Sequence, residues 1–211
     1  MGMGRCRQSK GVTRRSKIMT VGGIPALTEG AAVHGVADGM LREMRVLAGE
    51  MTATSVARRN LTLDLELAHP LGAVKCDPAN CANRAPICMW AKCVWDSDAC
   101  CASMSRALSR QQDKRLRLTA GKQPWSIVGG PAGAVIATAG RIGWSVADQH
   151  TLVDERGYTL DLREVDPRSI AAHVDRATKA MLHREAAKAL GAPELANGIW
   201  LEPVRKVVFS K

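Results

Sequence analysis

Six cysteines, at positions 76, 81, 88, 93, 100 and 101, stand at intervals regular enough to raise metal chelation. A structural zinc site takes pairs two to four residues apart on a knuckle or hairpin. Cys76 and Cys81 fall among prolines and asparagines and supply at most half of such a site. From Pro86 onward the sequence reads as helix. There Cys88 and Cys93 lie about 140° apart around the axis and about 7.5 Å along it. Cys93 and Cys100 share a side but stand about 10.5 Å apart by the same rise. Neither pair closes on one ion without breaking the helix, so the expectation is half-buried, reduced thiols and no bound metal or cofactor.

Other chemistry-bearing patterns are incomplete. His34, His69, His150, His173 and His183 show no metal spacing, and neither a His-Glu-x-x-His pair nor a Gly-x-Ser-x-Gly elbow occurs. Gly121-Lys122 lacks the upstream glycine and the following Ser or Thr of a phosphate loop. Gly140 and Gly143 flank Arg141-Ile142 without a preceding strand, which suits packing rather than a dinucleotide fingerprint. Asp96 and Asp98 are next-but-one neighbours and diverge on a helix. No catalytic residue emerges, and the chain is not expected to be an enzyme.

Basic residues are the remaining candidates. The formal charge is +10, from 30 Lys and Arg against 20 Asp and Glu, which favours an anionic partner such as RNA or DNA. Arg106, Arg110, Lys114, Arg115, Arg117 and Lys122 form the densest cluster, and Arg176, Lys179, Arg184 and Lys188 recur on a later helix. Either set could neutralise phosphates and make binding fall with salt; a solvated helix face is the competing reading. Trp90, Trp95, Trp125, Trp144 and Trp200 could stack on bases. Aromatic residues are so scarce, at 3%, that most of these are expected in the core.

The elements that must carry these groups are read as follows. Hydrophobic residues make up 46% of 211, enough for one domain of ordinary size with a tail. Residues 1–17 are Arg-rich and free of acids, which predicts a basic, disordered tail ahead of a single helical domain over 18–211. Asp38 is placed to cap a helix carrying Met40, Leu41, Met44 and Leu47. Residues 61–67 alternate like a strand but consist of helix formers, and are assigned to helix. Residues 70–86 read as loop, with Pro86 in the first turn of a helix whose face is Ile87, Ala91, Val94, Cys101, Ser105 and Leu108. That helix is expected to run on through the basic cluster to Gly121.

Residues 129–143 predict a short helix of small side chains packed closely against a neighbour. His150 to Val153 and Tyr158 to Leu162 flank a turn ending in Gly157, a hairpin signal. Asp166-Pro167 then opens a helix with Ile170, Val174, Ala177 and Met181 on one face, closed by Gly191 and Pro193. The fold expected is mainly α, an irregular helical domain with one small β-hairpin near 150–162. No apolar run reaches the roughly 18 residues needed to cross a bilayer. The cysteines, with no secretory signal, point to an intracellular setting, nuclear or cytoplasmic, with a mitochondrial transit peptide the less favoured reading of the N-terminus.

Several phrases in order resemble one family. They are GGIPALTEGAAVHGV at 22–36, RRNLTLDLEL at 58–67, APICMWAKCVW at 85–95 and PWSIVGGPAGAVIATAGRIGW at 124–144, followed by YTLDL and DPRSI. Together they are similar to the region behind the polymerase core in reverse transcriptases of dinoflagellate-type non-LTR retroelements, over residues 15–211. The resemblance implies a thumb- or connection-like segment lying near template and primer, with a separate polymerase core as a partner. The metal-binding aspartates of the palm have no counterpart here, so no catalytic role carries over. The chain departs from the pattern at Thr28-Glu29, where the family tends to have an aromatic before Gly30. It also lacks Trp-flanked arginines around Lys179 to Arg184 and is richer in cysteine. The alternatives are a protein-interaction or structural module, docking through Pro131 to Gly143, and a decayed remnant with no function of its own.

Overall fold

A computed structural model describes residues 17–52, 60–68, 73–96, 101–118 and 122–198. Of the basic segment 1–17, only Lys17 falls within them. After a π-helical turn at Met19–Gly23 come α1 (Ile24–Leu27), α2 (Ala31–His34), α3 (Asp38–Thr52), α4 (Leu61–Leu67), α5 (Ala73–Cys76), α6 (Pro78–Asp96) and α7 (Cys101–Leu116). A 3-10 turn at Pro124–Ile127 leads to α8 (Gly130–Arg141), then β1 (Ser145–Val146), β2 (Thr151–Val153), β3 (Thr159–Asp161) and α9 (Pro167–Leu190). The protein is mainly helical with one small antiparallel sheet, in the order β1-β2-β3. The contacts gather into two compact units, one of residues 1–27, 42–78 and 182–211, the other of 28–41 and 79–181.

In the first unit, Asn60 caps α4, its side chain accepting from the backbone N–H groups of Thr62 and Leu63. That cap resolves the strand-like alternation of 61–67 in favour of helix. Met19, Ala48, Leu65 and Cys76 are fully buried. Beside them a carboxylate is held inside: Arg45 Nε donates to both oxygens of Asp77 at 3.0 Å, and its Nη2 donates to Thr62 Oγ1 at 3.0 Å. On α3 the buried stripe is Leu41, Met44 and Ala48, while Met40 and Leu47 are exposed. The buried face is thus rotated from the expected one, with the small Ala48 inward in place of Leu47, and Asp38 occupies the first turn of the helix.

Residues 73–76 and 78–86, expected as loop, are helical. Helix α6 starts at Pro78 and carries Pro86 in its interior, where the ring has no N–H for the Ala82 carbonyl. Such a residue costs an isolated helix about 3 kcal/mol. Tertiary burial offsets it here, since Ala79, Ala82, Asn83, Ile87, Ala91 and Trp90 on both sides of the proline lie in the core. Of the long helix expected from Pro86 through Leu108, the stretches to Asp96 and from Cys101 are helical, and residues 97–100 lie outside the described residues.

Helix α8 is buried continuously from Ala132 to Ala139, and α2 and α7 pack on it. Its small residues are a steric requirement. A Cβ on Gly133 would stand 3.1 Å from the Val128 backbone and 3.1 Å from the Gln111 carboxamide. The hairpin pairs Leu152 with Leu160 and turns through Gly157 at φ +86°. Strand β1 joins it as a third member, too short to leave a signal in the sequence. Asp166 caps α9, its carboxylate accepting from the Arg168 N–H at 2.8 Å. Ile170, Val174 and Ala177 are buried as expected.

Candidate nucleic-acid interface

Helix α7 carries the densest cluster, and its two faces are chemically distinct. Met104, Leu108 and Gln111 are buried, with the Gln111 amide donating to the Gly129 carbonyl at 3.0 Å. At about 100° per residue, Arg106, Arg110, Lys114 and Arg117 fall within an arc of about 80° on the opposite side, over about 16 Å of axis. All four are exposed. Asp113 is the one acid on the helix, and none of the four cations is within 4 Å of a carboxylate among the described residues.

Arg115 does not belong to that stripe. It turns about 140° away, and its Nη1 donates to the Ile136 carbonyl of α8 at 3.3 Å while the guanidinium covers Gly140. Lys122 is exposed and lies off the helix. On α9 the four candidates Arg176, Lys179, Arg184 and Lys188 are exposed but spread over about half the circumference, by the same rotation. They also divide between the units, Arg176 and Lys179 in one and Arg184 and Lys188 in the other. Of these two helices, α7 is therefore the one that presents a continuous cationic edge.

No family model matches the chain, and neither a curated protein nor a solved structure matches it.

Arg141, which the sequence reading passed over as a residue between packing glycines, is the most connected guanidinium of this unit. Nε donates to Asp38 Oδ1 at 2.8 Å, Nη1 to Asn83 Oδ1 at 3.0 Å and Nη2 to the Val36 carbonyl. Its charge also sits over the Trp125 ring, 4.3 Å from the centroid. Asn83 passes the network on, donating to Thr178 Oγ1 at 3.2 Å. A cation so satisfied holds helices together and is not available to a ligand. Gly35 completes the arrangement, because a Cβ there would meet the Trp125 ring at 2.5 Å.

Of the tryptophans, Trp90 and Trp144 are buried, Trp125 is half-buried under Arg141 and Trp95 is exposed on α6. Trp90 anchors the Gln149 carbonyl through its indole N–H at 3.0 Å. Among the described residues, no three His, Cys, Asp or Glu side chains converge on a point where an ion could sit. Burial pushes the Cys76 and Cys88 thiols up to about 11, which keeps them protonated and poor as ligands or nucleophiles near neutral pH. No described helix is long and apolar enough to cross a membrane.

Proposed function

We propose that the chain is a non-catalytic, nucleic-acid-associated segment of the kind that follows the polymerase core in dinoflagellate-type retroelement reverse transcriptases. In this reading it holds phosphates through the outer face of α7. The observation that carries it is the stripe of Arg106, Arg110, Lys114 and Arg117, four exposed cations with no carboxylate within 4 Å among the described residues. A straight cationic edge about 16 Å long suits a phosphate backbone, where contacts position the protein without reading sequence. A separately encoded polymerase core is the partner this reading implies, met in the nucleus or the cytoplasm.

The test is a titration of the full chain with fluorescent primer–template duplex at 50 and 200 mM salt. Four phosphate contacts imply a log–log salt slope of about −3.6, so affinity drops on the order of 100-fold between the two conditions. Reversing three charges, as Arg106→Glu, Arg110→Glu and Arg117→Glu together, lowers affinity at least about ten-fold and flattens the slope by about three contacts. Unchanged affinity and slope in that variant would remove the α7 assignment.

A further inference from the structure

A cavity of about 250 Å³ opens beside the hairpin, between Trp144, the turn residues Asp154 and Glu155, Tyr158 on the approach to β3, and Arg176 of α9. Its acidic side is fixed by the fold. Glu155 Oε2 accepts from the Trp144 indole N–H at 2.6 Å, and Asp154 Oδ1 accepts from the backbone N–H groups of Arg156 and Tyr158 at 2.8 and 2.9 Å. Each carboxylate thus keeps one oxygen without a hydrogen bond from the described residues. On the basic side the guanidinium groups of Arg156 and Arg176 make no hydrogen bond or ion pair within the described residues. The wall between them includes Tyr158, the single tyrosine of the chain, with 67% of its surface exposed.

The geometry points to this cavity as a mononucleotide site. Two unpaired guanidinium groups suit a phosphate, and an exposed phenol ring beside them gives a base a face on which to stack. The volume is just under the roughly 300 Å³ lower end of small-molecule pockets, room for one nucleotide and not for a run of them. The free oxygens of Asp154 and Glu155 are acceptors only. They select a base whose edge presents two adjacent N–H donors, as guanine does through N1–H and its 2-amino group, over uracil, whose single N–H lies between two carbonyl oxygens. The ligand is a guanine 5′-nucleotide, free or at the end of a strand. The site shares a ligand class with the α7 reading but no residue, and it stands without that face.

Calorimetric titration of the full chain with GMP, with UMP and with a pentanucleotide bearing a 5′-phosphorylated guanosine tests this. Saturable GMP binding is expected, at least about five-fold tighter than UMP. Tyr158→Ala and Arg176→Glu, each with an unchanged circular dichroism spectrum, are expected to weaken it at least about ten-fold. A pentanucleotide that binds and is displaced by GMP identifies the ligand as a strand end, and binding of GMP alone identifies the free nucleotide. Failure of both ligands to bind, equal affinity for GMP and UMP, or binding indifferent to both substitutions overturns the proposal. Duplex affinity is read separately on the same protein, so loss of the α7 interface and loss of this site are distinguishable.

Discussion

Arg141 and the outer stripe of α7 carry the same functional group in opposite circumstances. The Arg141 guanidinium meets a carboxylate, a carboxamide, a backbone carbonyl and an indole face. Arg106, Arg110 and Arg117 face water with no carboxylate in reach among the described residues. A cation holds a fold together when its donors are already matched, and is free to bind when they are not. Density along the sequence does not separate the two states. Arg115 sits among the binding candidates by sequence and among the structural ones by geometry.

Five substitutions sharpen or break that contrast. The largest effect is expected in the first unit, whose matched pair is Arg45 with Asp77, the carboxylate fully buried. Asp77→Ala leaves Arg45 largely buried without its counter-charge and is expected to lower stability by about 3–5 kcal/mol in urea denaturation. A loss under 1 kcal/mol would show that the pair is dispensable. Next comes Arg141→Ala, which strands the Asn83 and Val36 acceptors and uncovers Trp125. A loss of about 3 kcal/mol is expected, with a change in tryptophan emission as the second readout.

A smaller effect distinguishes neighbours on α7. Arg115→Ala is expected to cost about 1 kcal/mol through its carbonyl contact on α8, whereas Arg110→Ala stays within about 0.5 kcal/mol. Equal costs would erase the division of that helix into a packing face and a binding face. The smallest effect is at Asp161, which the Arg163 side chain grips at 2.5 and 3.0 Å and holds at about 2, below the ordinary carboxylate value of 3.8. Its contribution is present above pH 4 and is lost as pH falls towards 2. In Arg163→Ala the Asp161 carboxyl should titrate higher by NMR yet stay below 3.8, because the backbone N–H at 163 still donates to it, with little change in stability because the pair is exposed.

The parts of the fold legible in the sequence are those with local chemistry at their ends. Asp166-Pro167 and Gly191 bracket α9, Gly157 marks the hairpin turn, and the glycines and alanines of 129–143 announce a close-packed helix. The half of α6 after Pro86 was legible, with Ile87, Ala91 and Val94 buried, but the half before it was not, because Pro86 signals a boundary locally while the burial of Ala79, Ala82 and Asn83 decides the outcome. The exposed α7 cations could be named from sequence, but which of them bonds to a neighbouring helix could not, since Arg115 answers to a carbonyl 21 residues away. Nothing local marks the cavity either, whose walls come from positions between 144 and 176.

The Arg141 network also sets when this unit can form. Its bonds join residues 103 and 105 positions apart, and Asn83 reaches Thr178 across 95. A nascent chain emerging from the ribosome has α2 and α6 long before it has the arginine and the threonine that tie them down. Closure must wait for most of the chain, and loops of this length slow folding well below the rate of a bundle built from adjacent helices. In that interval the exposed faces of α2 and α6 are open to aggregation or to a chaperone.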